Sequence, residues 1–527
     1  MKNGNRNGRY VEIMDTTLRD GEQTPGVAFT PAEKLGIVRL LINHLHLDRM
    51  EIGSARVSEG ERKAIADILK WAEHRGCSER MEILGFVDGG KSAQWIHESG
   101  GHVLNLLAKG SERHCRVQLR KEPEKHRAEV CAEIENAAKL GLTVNVYLED
   151  WSNGMEHSFP YVYDFFQALS STPAARIMLP DTLGILTPDR LTMFLDWIYS
   201  AFPEAKLDFH GHNDYGLVTA NSLAAVRAGV SGIHTTINGL GERTGNQPLS
   251  QLVVTIHDYT ARRTRIAEKE IQHASEVVQA LSGKRYSWNM PVIGSDVFTQ
   301  TCGVHADGDK KGNLYMNKLL PERFGRNRNY ALGKLSGKAS LDQNLALFGI
   351  EELLPDQRKK VLDEIVRLGD RKKQVTPADL PFIISNVLRT PTSGRIQIMD
   401  YIVESRMTST PKATVTLRID GTEIIASGSG DGGYDAFVKV LRRELRKHGI
   451  LLPKLADYEV RIPPGGKTDA LVENTIIWEL SGGRRLTTTG VDSDQMHAAI
   501  IATQKMLNLV VKNNKNNGAR NEEKQSG

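Results

Sequence analysis

The chain has 527 residues, enough for about three domains, and its 40% hydrophobic and 25% charged content excludes collagenous, disordered and membrane classes. Its 68 basic and 64 acidic residues are interspersed and leave a formal net charge of +4, so no nucleic-acid partner is expected. Four cysteines without a CxxC pair, and the lack of a leader or a long apolar run, predict a cytoplasmic protein with reduced thiols and no membrane partner.

Apolar β-rich runs alternate with segments of helical period through the first 285 residues. Segments 32–45 and 59–73, for example, suit amphipathic helices. Eight such units in this length predict a closed (β/α)₈ TIM barrel over residues 1–285. An open doubly wound sheet is the alternative, but no GxGxxG follows the first run, so a dinucleotide site is unsupported. The runs lie at residues 11–15, 49–53, 81–87, 103–108, 143–150, 176–181, 206–212 and 232–239.

The pattern changes after the barrel. Residues 286–390 are polar and Gly- and Lys-rich at first and then helical, which predicts a helical linker region. Residues 391–510 contain a strand, Gly-rich turn and helix twice, with Gly428 opposite Gly490 and Ala436 opposite Ala498, and so predict a small α+β domain. Residues 511–527 lack apolar content and are expected to be a disordered tail.

Candidate metal ligands follow the predicted strands at the barrel face where chemistry gathers. His210 and His212 are two residues apart, so an extended backbone points both imidazoles to one side. With Asp20 they offer two nitrogens and a carboxylate to a divalent metal, Mn²⁺, Zn²⁺ or Mg²⁺, and Asn246 adds an amide oxygen. Two ordinary buried histidines are the alternative interpretation.

Three further polar residues lie at predicted strand ends. Arg19 precedes Asp20, and Glu149 ends the fifth run, so the Glu149 carboxylate is expected to hold Arg19 where it compensates a developing oxyanion. A purely structural ion pair is the alternative. Thr182 offers a hydroxyl for a substrate carboxylate, or else caps the following helix.

The motifs DTTLRDGEQTPG, LPDTLG, HGHNDYGL and NGLGERTGNQPL resemble the metal-dependent barrel family of α-isopropylmalate, homocitrate and citramalate synthases. Longer stretches, among them EIGSARVS, VLNLLAKGS, VYLEDWSNG, FTQTCGVHADGDKKGNLY and YEVRIPPGGKTDALVE, are most similar to its citramalate synthase branch. The resemblance covers residues 9–509 or so, and these motifs occur in the same order.

The resemblance implies a Claisen-type condensation of acetyl-CoA with a 2-oxo acid, followed by thioester hydrolysis. It implies that Asp20, His210 and His212 hold the metal, that Arg19 stabilises the oxyanion, and that Glu149 takes part in proton transfer. His305 and Tyr315 lie beyond the barrel and are expected to reach an active site, that of the other subunit of a homodimer. An imidazole is suited to moving protons there.

The 2-oxo acid is expected to be pyruvate. Leu84, Leu107 and Tyr147 lie near the carboxyl ends of their predicted strands, and three bulky groups there leave room for a methyl tail only. Ordinary barrel-core packing is the alternative interpretation for each residue.

The resemblance also implies that the C-terminal domain binds an end-product amino acid, isoleucine for this branch, unless it only mediates dimerisation. Three alternatives stay open: 2-isopropylmalate synthase, a barrel lyase that cleaves a hydroxyacyl-CoA, and a catalytically silent amino-acid sensor. The expected contacts of the effector are Tyr434, Asp435, Thr468 and Gln495.

Overall fold

The computed structural model describes residues 10–55, 58–347, 353–370, 375, 379–388, 396–461, 472–480 and 485–522. The chain divides into two compact units. The first comprises Met1–Phe298 and Met316–Arg328, and the second Thr299–Tyr315 and Asn329–Gly527. Within the described ranges, no helix has both the length and the apolar character to cross a bilayer.

Eight parallel strands of the first unit close into a barrel in sequence order, with the last strand paired to the first, so the predicted TIM barrel is confirmed. Ile13 pairs with Ile233 across the closing seam. The strands are β1 (Glu12–Asp15), β2 (Arg49–Ser54), β3 (Met81–Phe86), β4 (Val103–Lys109), β5 (Thr143–Glu149), β6 (Arg176–Asp181), β7 (Leu207–Gly211) and β8 (Gly232–Thr235).

Helices surround the barrel and cover the outward apolar side chains of its strands, such as Ile13 and Ile83. The first helix begins at a capping box, in which Thr30 and Glu33 satisfy each other's backbone N–H groups. The helices are α1 (Pro31–Asn43), α2 (Glu59–His74), α3 (Lys91–Glu98), α4 (Pro123–Lys139), α5 (Trp151–His157), α6 (Phe159–Leu169), α7 (Pro188–Ala201), α8 (Val218–Ala228), α9 (Leu249–Tyr259) and α10 (Ile271–Ser282).

The predicted eighth strand is too long. β8 ends at Thr235, and a 3-10 turn follows at Ile237–Gly239. Asn238 there adopts a left-handed conformation with φ of 60°, which is incompatible with an extended strand. The chain therefore turns at this point.

The second unit begins with short elements and helices: α11 (Gly303–Lys310), α12 (Lys338–Leu347), α13 (Pro355–Asp370) and α14 (Leu380–Leu388), with two-residue strands β9 (Thr299–Gln300) and β10 (Asn329–Tyr330). Two antiparallel three-stranded sheets follow, each with one helix after its last strand. The first has β11 (Ile396–Arg406), β12 (Ser409–Ile419), β13 (Thr422–Ser429) and α15 (Gly433–Lys447). The second has β14 (Lys454–Arg461), β15 (Val472–Glu479), β16 (Arg485–Asp492) and α16 (Gln495–Glu522).

The internal repeat corresponds to these two sheet-and-helix halves. Gly428 lies in β13 and Gly490 in β16, each where the following helix packs closely. A Cβ on Gly428 would lie 2.8 Å from Val440 Cγ2, and one on Gly490 would collide with the carbonyl oxygen of Ala498. A side chain at either position would push helix and sheet apart.

The backbone of α16 is helical to Glu522, which differs from the disordered tail predicted for residues 511–527. A helix can continue beyond a packed segment through its own backbone hydrogen bonds. Among residues 495–508, whose side chains are described, the last buried apolar residue is Leu507. Residues 523–527 lie outside those described.

Candidate active site

Asp20, His210 and His212 converge at the carboxyl end of the barrel. His210 and His212 lie at the end of β7, and the turn after β1 carries Asp20. His210 Nε2 is 3.3 Å from Asp20 Oδ2 and 3.3 Å from His212 Nε2, and His212 Nε2 is 3.9 Å from Asp20 Oδ2. All three side chains are buried, so their donor atoms face one another rather than solvent.

This donor set fits a divalent cation. Two ligands about 2.1 Å from one metal ion lie roughly 3.0–3.4 Å apart at tetrahedral to octahedral angles, which is close to the spacing of these atoms. Asp20 Oδ1 and Asn246 Oδ1 are buried and receive no hydrogen bond from the described residues. Asn246 is placed beside His212 by a backbone bridge, and its amide nitrogen donates to the Leu240 carbonyl oxygen 3.0 Å away. Its amide oxygen thus remains available as a ligand.

The electrostatics favour the metal-binding forms of these groups. Burial alone would raise the pKa of Asp20, but Arg19 and the hydrogen bond from His210 outweigh it and hold that pKa well below its usual range. Burial, together with His210, lowers the pKa of His212 to about 4. At neutral pH the aspartate is ionised and the His212 imidazole is neutral, as metal coordination requires.

Glu51, rather than Glu149, holds Arg19. Arg19 Nε donates to Glu51 Oε2 at 2.6 Å, and its Nη1 lies 3.1 Å from Asp20 Oδ2. Glu149 pairs instead with Lys109, so the prediction that Glu149 holds Arg19 was wrong. The physical reason lies in strand order: β2 is adjacent to β1, whose following turn carries Arg19, whereas β5 is on the far side of the barrel.

Both carboxylate oxygens of Glu51 accept hydrogen bonds. Its Oε2 also accepts from Thr16 Oγ1 at 2.8 Å, and its Oε1 accepts from the Asn105 amide at 2.9 Å. Burial would raise the pKa of Glu51, but Arg19 and these donors lower it. Sequence reasoning missed this residue, although an acid inside the otherwise apolar run RMEIG is a signal for an inward-facing, paired carboxylate.

At the barrel mouth, Thr182 does not cap a helix, because the N-cap of α7 is Thr187. The Thr182 hydroxyl oxygen accepts from the backbone N–H of Asp150 at 2.9 Å. Its own O–H is therefore free to point elsewhere. Glu149 lies one residue before Asp150 and is partly exposed, so its carboxylate can be reached from the barrel mouth.

Leu84 and Tyr147 lie together inside the barrel, in one apolar cluster with Met14 and Met178, and Leu107 packs against this cluster. The Tyr147 ring is 6.0 Å from the His210 ring, and the Arg19 guanidinium carbon lies 5.7 Å from the Tyr147 centroid. The cluster therefore adjoins the candidate metal ligands. The two methionines were missed by sequence reasoning because methionine in an apolar run carries no specific signal.

Below this cluster the barrel holds a buried layer of charges, also missed from the sequence. Asp208, two residues before His210, pairs with Arg49 from β2 and with Arg176 from β6. His234 in β8 lies between Asp208 and Tyr147. Burial lowers the pKa of His234 to about 4, although Asp208 opposes this shift, so the ring is neutral at neutral pH.

The remaining expected site residues lie in the second unit. The rings of His305 and Tyr315 are 4.2 Å apart, so these two side chains are adjacent. The hydroxyl of Tyr434 is 2.7 Å from Thr503 Oγ1, and Asp435 pairs with Lys439 at 2.6 Å.

No described contact joins either of these two effector candidates to the side chain of Gln495 at the start of α16, and Thr468 lies outside the described residues. Asp435 already has a cationic partner, Lys439, so an effector amino group would have to compete with it. The effector site stays a prediction.

Family models match three successive parts of the chain. A model described as HMGL-like matches residues 10–278. The homocitrate synthase post-HMGL domain-like model matches residues 292–373, and the LeuA allosteric (dimerisation) domain model matches residues 374–511.

Curated relatives align over most of their length. A protein of Methanopyrus kandleri described as "Putative (R)-citramalate synthase CimA" is 35% identical over 88% of this chain and 88% of its own. One of Archaeoglobus fulgidus with the same description is 32% identical over 95% of this chain and 99% of its own. A "Probable 2-isopropylmalate synthase" of Methanopyrus kandleri is 31% identical over 95% and 98%. The solved HMG-CoA lyase of Bacillus subtilis is 19% identical with a TM-score of 0.44, and covers 53% of this chain and 96% of its own.

Proposed function

Because the chain belongs to the HMGL-like family that includes the synthases joining acetyl-CoA to a 2-oxo acid, we propose that it is an (R)-citramalate synthase. It condenses acetyl-CoA with pyruvate and hydrolyses the thioester, giving citramalate and CoA. The observation that carries the choice of pyruvate is the cluster of Leu84, Tyr147 and Leu107 beside the candidate metal ligands.

Asp20, His210 and His212 would hold a divalent metal, with Asn246 as a further oxygen ligand. When bound, such an ion supplies Lewis-acid polarisation of the keto oxygen and a contact for the substrate carboxylate. Arg19 brings a fixed positive charge to the same place, held by Glu51 on its other side. That charge stabilises the oxyanion which develops on the keto oxygen during attack.

Thr182 binds the substrate carboxylate, and Glu149 takes part in proton transfer. The Thr182 O–H donates to the pyruvate carboxylate, since its oxygen is already committed to the Asp150 N–H. Glu149, paired with Lys109, is the carboxylate for proton transfer at the barrel mouth. His305, beside Tyr315, supplies a second proton-transfer group in the assembled homodimer.

The apolar cluster selects the 2-oxo acid by volume. A methyl tail fits against Leu84, Leu107 and Tyr147, whereas an isopropyl tail must displace them. A 2-isopropylmalate synthase, for which one relative of this chain is described, would need that space to be open. The second unit binds isoleucine and inhibits the condensation, as expected for the branch that begins isoleucine synthesis from pyruvate.

A thiol-release assay tests the function. With acetyl-CoA and a panel of 2-oxo acids, pyruvate should release CoA briskly, 2-oxoisovalerate should not, and a chelator should stop release until Mn²⁺ or Mg²⁺ is restored. H212A should be inactive. His257 pairs with Glu268 on the outside of the barrel and is the matched control, so H257A should stay active. Equal efficiency with both oxo acids would contradict the proposal.

A further inference from the structure

A buried polar chain runs from the barrel interior to the apolar cluster. The Tyr147 hydroxyl lies 3.1 Å from His234 Nδ1, and His234 Nε2 lies 3.5 Å from Asp208 Oδ2. Tyr147, His234 and Asp208 have relative exposures of 2%, 1% and 0%. No solvent reaches these groups, so their partners are one another: Tyr147 and His234 share a hydrogen bond, while His234 Nε2 faces Asp208 at ion-pair distance without a hydrogen bond among the described residues.

Asp208 is the fixed end of this chain. Its Oδ1 is 3.1 Å from Arg176 Nη1, and its Oδ2 pairs with Arg49, so the two guanidinium groups hold it from two directions. Arg49 is itself held by Glu82 at 2.8 Å. A carboxylate held in this way should keep its position when His234 or Tyr147 is substituted.

The hydrogen-bond directions follow from the inventory of donors. An ionised carboxylate only accepts, so the His234 nitrogen that faces Asp208, Nε2, carries the hydrogen. In the neutral ring Nδ1 is then an acceptor, and the Tyr147 O–H donates to it. With this tautomer, the hydroxyl proton of Tyr147 is committed to His234.

Tyr147 consequently acts through the position of its ring. The ring packs in the cluster with Leu84 and contacts the His210 ring and the Arg19 guanidinium. Its polar end is the only part that can be anchored by a hydrogen bond, and among the described residues His234 supplies the partner. A ring without that anchor could tilt about its Cα–Cβ bond and enlarge the space for the substrate tail.

We propose that His234 is a positioning residue for substrate specificity: its bond to the Tyr147 hydroxyl fixes the aromatic wall that limits the 2-oxo acid to a methyl tail. The inference rests on the proposed function and extends it to a residue in β8 that does not touch the substrate. It assigns the choice of substrate to a chain of buried polar groups as well as to apolar volume.

Two substitutions at the same position separate the two contacts of His234. In H234N, the amide oxygen lies near the position of Nδ1 and retains the bond to Tyr147. In H234Q, the amide nitrogen lies near Nε2 and retains the contact with Asp208 only. The readout is kcat/KM for pyruvate divided by that for 2-oxobutanoate, one methylene longer, at saturating Mn²⁺. Mn²⁺ affinity is measured in parallel because the His234 and His210 rings are 5.5 Å apart.

H234Q should lower this ratio by about tenfold, the discrimination that one methylene commonly carries, while H234N should stay within about threefold of the parent. An unchanged ratio in H234Q, or an equal fall in both variants, would overturn the inference. Absence of pyruvate-dependent CoA release from the unmodified protein would instead refute the proposed function, and the specificity role with it.

A double-mutant cycle with Y147F gives a second measurement. If the bond is the route of action, H234Q/Y147F should show the same ratio as Y147F alone, and the Tm losses of the two single variants should not add. Ratios that multiply and Tm losses that add would show that the two residues act independently, and would overturn the proposal. The Tm measurement needs no activity.

Discussion

The side chain of Arg19 is placed by charge rather than by packing. Glu51 and Asp20 lie on either side of its guanidinium, and burial strengthens both interactions. Asp20 is shared between Arg19 and the two histidines. The orientation of the Arg19 guanidinium therefore depends on its bond to Glu51. Loss of the Glu51 charge should therefore affect the transition state more than substrate binding.

We expect E51Q to lower kcat by about 10²-fold with a much smaller change in KM for pyruvate, as for loss of one preorganised electrostatic contact. Steady-state kinetics at saturating metal measure this. The matched control is E82Q, since Glu82 is an equally buried carboxylate paired with Arg49 in the layer below. It should lower Tm without the fall in kcat. Equal kcat losses in both variants would contradict the role of Glu51.

The orientation of neighbouring residues in β3 allows a second test at this scale. Leu84 faces the barrel interior, whereas Ile83 faces the helices. L84A should shift preference towards 2-oxo acids with longer tails by roughly tenfold and cost about 2–5 kcal/mol of stability. I83A should cost a similar free energy of unfolding and leave the preference unchanged. A preference shift in I83A as large as that in L84A would argue against the cluster as the tail pocket.

At the scale of elements, the sequence pattern predicts where the strands lie and to which side their residues point. Apolar β-rich runs between segments of helical period identified the eight strands, and the two-residue spacing of His210 and His212 placed them on one side. The alternation of side chains along one strand does not show which side chains of different strands meet inside the barrel. For that reason the pairing of Arg19 with Glu51, and of Glu149 with Lys109, required the three-dimensional structure.

The end of β1 carries a buried carboxyl group that gives an element-scale prediction. Burial raises the pKa of Asp15 to about 7, and the N–H of Thr17 bonds one of its oxygens at 2.9 Å. The unfolded chain releases this proton near pH 4, whereas the folded chain keeps it to about pH 7. The contribution of Asp15 to the free energy of unfolding is therefore highest below pH 4 and falls as the pH rises to 7.

D15N keeps an acceptor for Thr17 and removes the titration. Relative to the parent chain, its stability should rise between pH 4 and pH 7 by on the order of 2–4 kcal/mol and then stay level. Denaturant unfolding at a series of pH values measures the difference. Parallel stability curves for D15N and the parent would show that Asp15 is ionised in the folded protein.

At the scale of the whole molecule, the two units have separate apolar cores. One core lies between the barrel and its helices, and the second unit has two, one beneath the two antiparallel sheets and one among the helices that contain Leu341 and Val361. The predicted three-part division stays a prediction. The predicted linker region is shared between the two compact units: its residues 286–298 and 316–328 belong to the barrel unit, and the rest belongs to the unit with the C-terminal sheets. The repeat of Gly428 and Gly490 could be found from the sequence because close helix packing tolerates only glycine there.

Separate cores predict separate responses to ligands. A ligand that binds only one folded unit stabilises that unit by about 2.7 kcal/mol at a hundred times its Kd. In calorimetry, isoleucine should therefore raise the transition of the second unit by a few degrees, and a chelator should lower only that of the first. Leucine at the same concentration is the control and should change neither transition. If isoleucine moved the first transition alone, the effector would bind the barrel unit, and the regulatory role proposed for the second unit would be wrong.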